Sequence, residues 1–139
     1  MFTYNYPRPA VTVDAILISS KRSVLLIERG RDPFKGTWAL PGGFVDMDES
    51  LEAACKRELE EETGILIREV KQFKAYGDVN RDPRHRTISV VFYAYADTEI
   101  EPNAGDDAVN ARWFPLSDLP VLAFDHARIL EEFKGEVLK

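Results

Sequence analysis

The 139-residue chain carries 24 acidic and 18 basic side chains, a formal net charge of −6, with 45% hydrophobic and 30% charged residues. That composition is ordinary for a globular domain, and its negative balance argues against a general nucleic-acid surface, which needs accumulated Lys and Arg. No apolar run is long enough to span a bilayer, and the single cysteine, Cys55, closes no intrachain disulfide and reads as a small core residue. Length fits one domain over residues 1–139, without repeat, low-complexity tract or linker. The start lacks the basic and apolar regions of a secretory signal, so the expected compartment is the cytoplasm.

In chain order, an aromatic arm containing Phe2, Tyr4 and Tyr6 fits packing either on its own domain or across a partner subunit, a possible homodimer. Ala10–Ile18 and Val24–Glu28 are β-rich and flank a polar turn, a hairpin pattern. Arg29–Thr37 is a loop, and Trp38–Leu40 is a short strand ending at Pro41-Gly42-Gly43. A helix is expected from about Ser50 to Thr63, with Asp48 or Ser50 as N-cap and Gly64 as a left-handed C-terminal cap. Ile65–Tyr76 suits a strand at an edge or with a bulge, because charged pairs interrupt it. Thr87–Ala96 is apolar on both faces and therefore central, and Asn110–Phe114 is a last short strand. Ala127, Leu130, Phe133 and Val137 give an amphipathic helix starting near Asp125. Strands with two separated helices point to the α/β class, a mixed central sheet sandwiched between helices.

The helix from Ser50 has an unusual face. At about 100° per residue, Leu51, Ala54 and Cys55 define an inward stripe, and Glu58, Glu61 and Glu62 project into the same sector. Lys56, Glu52 and Glu60 take the water side. Three like charges on a semi-buried face are destabilising unless a cation sits among them. Hard oxygen donors favour Mg²⁺ or Mn²⁺ over zinc, and the Gly42-Gly43 turn can add a backbone carbonyl. Arg57, one turn before Glu61, can pair with it.

Gly43, five residues, Glu49, seven residues, then Arg57-Glu58-Leu59-Glu60-Glu61-Glu62-Thr63-Gly64-Ile65 resembles the Nudix box at every defining position. Looser likeness extends through Gly36–Gly43, Arg81-Asp82-Pro83-Arg84 and Ala104–Ala108 before Trp113-Phe114, and looks like the ADP-ribose pyrophosphatase branch. The resemblance implies an α/β/α fold.

A diphosphate resists hydrolysis because its oxygens repel a nucleophile and its leaving group is poor until charge is neutralised. In this reading Glu58 and Glu62 are the leading metal ligands, followed by Glu61 and the Gly42 carbonyl. Glu61, Arg57 and Glu49 are candidates for the catalytic apparatus, Glu49 alternatively acting only at the helix start. In the family it resembles, members differ in which acidic residue activates the water, and a loop outside the box often supplies it. Asp106 and Asp107 fit, unless they form a plain polar turn, with Glu99 and Glu101 as fallbacks. Arg81, Arg84 and Arg86, beside His85, are expected to grip substrate oxygens, as are Arg29 and Arg31. Trp38 and Phe44 suit base stacking or the core, and His126 reads as a packed or surface histidine.

The function these features support is Mg²⁺-dependent cleavage of a nucleoside diphosphate derivative, ADP-ribose to AMP and ribose 5-phosphate. A nucleoside triphosphate pyrophosphohydrolase is the rival within the fold, and a non-catalytic nucleotide-sugar sensor the rival outside it. The partner expected is a small molecule, with neither nucleic acid nor membrane involved.

Overall fold

In the computed structural model, the described residues are 3–105 and 108–139. Their elements are β1 (Ala10–Ser19), β2 (Ser23–Arg29), β3 (Trp38–Ala39), β4 (Gly42–Phe44), α1 (Leu51–Thr63), β5 (Lys71–Tyr76), β6 (Thr87–Ala96), β7 (Ala108–Pro115) and α2 (His126–Glu136). The strands form one mixed sheet in the order β3-β2-β1-β6-β5, with β4 joined to β1 and β7 to β2.

Along one edge β1 pairs in parallel with β6 for its whole length, from Ala10↔Thr87 to Ser19↔Ala96. Its other edge is divided. Thr12–Asp14 pair antiparallel with β4, whereas Ile18 pairs with Val24 of β2. The sheet therefore parts between β1 and β2, with β3 paired along β2 and β4 along β1, and residues of all four strands line a cavity there.

Alternation in β1 sorts the two cores. Val13, Ala15 and Leu17 join Phe92 and the α1 residues Ala54, Cys55 and Leu59 on one side of the sheet. Ile16 and Ile18 join Val91 and the α2 residues Ile129, Leu130 and Phe133 on the other. Each of these large side chains contributes about 1.5–3 kcal/mol by leaving water. The helix–sheet–helix expectation holds.

Helix α1 starts where Ser50 Oγ accepts the Ala53 N–H at 3.1 Å, and ends where Gly64, at φ 75°, donates its N–H to Glu60 O. Ser50, rather than Asp48, is the cap. The strand expected over Ile65–Tyr76 begins only at Lys71, and its bulge lies between Gln72 and Lys74. Ile65, Ile67 and Val70 instead pack as irregular chain against the α1-side core. Strand β4 has no counterpart in the sequence reading, because two of its three residues are glycine. Among the described residues no helix is long and apolar enough to cross a membrane.

Candidate active site

The cavity has a volume of about 540 Å³, within the usual range for small-molecule sites. One wall is acidic, formed by β4 and α1: Gly42, Gly43, Asp46, Glu58, Glu61 and Glu62. The buried face of α1 is Ala54, Cys55, Leu59 and Thr63. Glu58 and Glu62 flank that face half-buried, but Glu61, expected in the same sector, is exposed. The Glu58 carboxyl is pushed up by burial, with the Arg57 hydrogen bond opposing the shift.

Arg57 is the hub of this wall. Its Nε and Nη2 donate to both carboxylate oxygens of Glu49 at 3.0 and 2.6 Å. Its Nη1 donates to Glu58 and to Glu61, each at 2.9 Å, and Nη2 also reaches Phe44 O. Arg57 and the Asp46 N–H hold the Glu49 carboxyl down at about 2. Glu49 does not line the cavity. Its role in the geometry is to orient Arg57.

Local structure brings β4 against α1. A Cβ on Gly42 would stand 2.1 Å from Val13 O, so only glycine permits that approach, and one on Gly43 would stand 2.5 Å from Glu58 Oε1 and displace the carboxylate. The Gly42 N–H donates to Glu62 Oε1 at 2.7 Å. Among the described residues no three Asp, Glu, His or Cys side chains form a ready-made ion site. The donor set nonetheless fits a hard divalent cation: carboxylate oxygens one helical turn apart, beside a glycine turn that leaves Glu58 the space a side chain would fill.

The rest of the lining is cationic and aromatic: Arg29, Arg31, Arg84 and Phe124, with Phe44 of β4 beside Arg84. Arg29 donates from Nε to Pro33 O, and its guanidinium lies 4.9 Å from the Phe124 ring centre. Burial lowers its pKa. Arg84 pairs with Asp82 through two bonds of 3.1 and 2.8 Å, and its guanidinium lies within 6 Å of both Phe124 and Phe44. Burial of Asp82 acts to raise its pKa, but the Arg84 hydrogen bonds outweigh it and the net direction is down. The floor contains Thr12, Asp14, Arg81, Thr87 and His126.

The NUDIX domain family model matches residues 8–133. The ADP-ribose pyrophosphatase of Methanocaldococcus jannaschii is 45% identical over 128 residues, 92% of this chain and 75% of that protein. The chain belongs to the Nudix family. The ADPR responsive transcriptional repressor NtrR of Acinetobacter baylyi is 35% identical over 135 residues, and the match spans 92% of this chain but only 54% of the repressor. Among solved structures, the NUDIX domain of Shewanella oneidensis NrtR complexed with ADP ribose superposes with a TM-score of 0.88 at 32% identity, covering 95% of this chain and 90% of that domain.

Within this Nudix domain, the residues singled out from sequence separate into three groups. Glu58, Glu61, Glu62, Gly42, Arg57, Arg29, Arg81 and Arg84 line the cavity. Arg81 is nevertheless engaged: it makes a bidentate pair with Asp125 at 2.9 and 2.7 Å, and burial, which lowers an arginine pKa, is outweighed by that pair. Arg86 donates to Gly77 O and Asp78 O, and does not line the cavity. Glu99 accepts from Ser19 at the far end of β1. Asp106 and Asp107 lie outside the described residues.

Trp38 takes the core alternative, edge-on to Phe114 at 4.7 Å, while Phe44 lines the cavity. His126 is a buried histidine. Sequence reasoning missed Asp14, Asp82 and Phe124. Asp14 carried a signal: a lone carboxylate within the apolar run Val11–Ile18.

Proposed function

We propose that this Nudix pyrophosphohydrolase cleaves ADP-ribose into AMP and ribose 5-phosphate with Mg²⁺, or Mn²⁺ in its place. The observation that carries the reading is one cavity lined both by the α1 carboxylates beside β4 and by guanidinium and aromatic groups from other elements. Glu58 and Glu62 would hold the divalent ion, with Glu61 and the Gly42 carbonyl completing the set. Such an ion neutralises diphosphate oxygens and acidifies a water molecule when bound. Arg57 orients the carboxylates, bonding one oxygen of Glu58 and one of Glu61 and leaving the other oxygen of each for an ion. Arg84 and Arg29 face the substrate oxygens, and Phe44 and Phe124 offer ring faces to the nucleoside. Arg81, braced by Asp125, supports the floor.

Asp106 and Asp107 are the proposed bases. The Gly105 N–H donates to Glu62 O at 3.2 Å, so the residue preceding them is tied to the last turn of α1. Asp106→Asn and Asp107→Asn identify the base: one of them should lower kcat by about 10²–10⁴. The ADP-ribose pyrophosphatase among the relatives supports the substrate. The protein is further proposed to be cytoplasmic and homodimeric, the N-terminal arm with its exposed Tyr4 and Tyr6 meeting a second copy. Light scattering of the purified protein checks the dimer.

The deciding experiment incubates the protein with Mg²⁺ and a panel of nucleoside diphosphate derivatives and triphosphates, with products separated by chromatography. ADP-ribose should be turned over fastest, giving two monophosphates. Release of inorganic pyrophosphate from a triphosphate as the preferred reaction would replace the assignment. The repressor among the relatives favours a second reading, a sensor, and binding without turnover across the panel would establish it.

A further inference from the structure

The segment leading into α2 runs beside β3. Trp38 N–H donates to Val121 O at 3.0 Å, and Ala123 N–H donates to Trp38 O at 2.8 Å, the alternation of a parallel ladder. The next bond in that series would carry the Leu40 N–H to Ala123 O. It is not made, because the chain turns at Phe124, φ 52°, and Ala123 O accepts the His126 N–H instead. The His126 ring replaces the lost carbonyl: its Nδ1 lies 3.0 Å from the Leu40 nitrogen. A backbone amide only donates, so Nδ1 must present a lone pair. The ring is therefore neutral with its proton on Nε2, which lies 3.7 Å from Asp14 Oδ1. Asp14 in turn accepts the Ser89 hydroxyl. Leu40, His126, Asp14 and Ser89 are all buried, with Leu40, His126 and Asp14 at the edge of the cavity, so water competes little for the Leu40–His126 and Ser89–Asp14 bonds.

Leu40 begins the turn on which the acidic wall depends. Pro41 O accepts the Ala15 N–H at 2.8 Å, and the Gly42 N–H holds Glu62. We propose that His126 is a positioning residue of the active turn, its Nδ1 fixing Leu40 and through it the Gly42 carbonyl and the Gly42–Glu62 bond. The inference rests on the metal site proposed above. It gives a role to a buried group that touches neither the ion nor the substrate in that reading.

His126→Asn places a carbonyl oxygen near the position of Nδ1, whereas His126→Gln places one near Nε2 and leaves the Leu40 N–H without an acceptor. Three readouts are taken: amide hydrogen exchange at Leu40, Mn²⁺ affinity by titration, and kcat and KM for ADP-ribose. In His126→Asn all should stay within about threefold of the parent. In His126→Gln, Leu40 exchange should accelerate and Mn²⁺ affinity and kcat should fall about 10-fold or more, with KM little changed. Nitrogen NMR on the unaltered protein should show the Nε2–H tautomer, and this readout stands whether or not either variant folds. An Nδ1–H tautomer, or equal Mn²⁺ affinity in the Asn and Gln variants, would overturn the positioning role alone. An unaltered protein that binds no Mn²⁺ would overturn the metal site, and this role with it.

Discussion

Arg57 satisfies Glu49, Glu58 and Glu61 simultaneously, so one cation governs how much repulsion the acidic wall carries. Arg57→Gln should lower metal-free stability by about 1 kcal/mol, a modest figure because the side chain is partly solvated, with Mg²⁺ restoring part of the loss in thermal melts. Glu58→Gln should leave the fold intact by circular dichroism and reduce ADP-ribose turnover by at least about 10³. Arg81 makes a sharper stability test, since it is only 4% exposed and its partner is Asp125. Asp125→Asn strands a buried charge and should cost about 3–5 kcal/mol in urea unfolding. At this scale the sequence was legible where one periodic element carried the signal. The placement of Glu58 and Glu62 along the cavity followed from helical spacing and the Gly43–Ile65 pattern, whereas the engagement of Arg81 with Asp125 bridges 44 positions that no local pattern connects.

Helix α2 is fastened to the edge strand β5 by a polar cluster. Glu132 accepts the Tyr76 hydroxyl at 2.7 Å, Arg128 Nε at 2.9 Å and Lys74 Nζ at 3.3 Å. These partners, Tyr76 first, hold its carboxyl down at about 2 against an ordinary 4.5. A depressed folded-state pKa means that the unfolded chain binds the extra proton, so the stabilisation is complete above about 4.5 and is lost as pH falls toward 2. Glu132→Gln should therefore flatten the melting temperature against pH across that window relative to the parent. In β4 the determinant is steric. Gly43→Ala drives a methyl into the Glu58 carboxylate and should reduce activity by about 10² while the core, packed elsewhere, keeps its melting temperature within a few degrees. Long elements were readable: β6 spans the predicted residues, and α1 ends at the predicted glycine. The short ones were not, because β4 is defined by its pairing with β1 and has almost no side chains of its own.

Across the whole molecule, the sheet with α1 on one side and α2 on the other was legible because Thr87–Ala96 is apolar on both faces and two well-separated helices are available to cover them. Phe133 is fully buried in the α2-side core, and Phe133→Ala should destabilise by about 3–5 kcal/mol, measured by urea unfolding. The basic wall was only partly legible, for Arg29, Arg84 and Phe124 become neighbours only after β2, the loop before β6 and the entry to α2 have docked. That divided origin has an evolutionary corollary. The carboxylates proposed to hold the ion are concentrated on α1 beside β4, while Arg29, Arg84 and Phe124 reach the same cavity from the end of β2, the loop before β6 and the entry to α2. Descendants of such a scaffold are free to change diet by swapping loop side chains while inheriting the scissors unaltered.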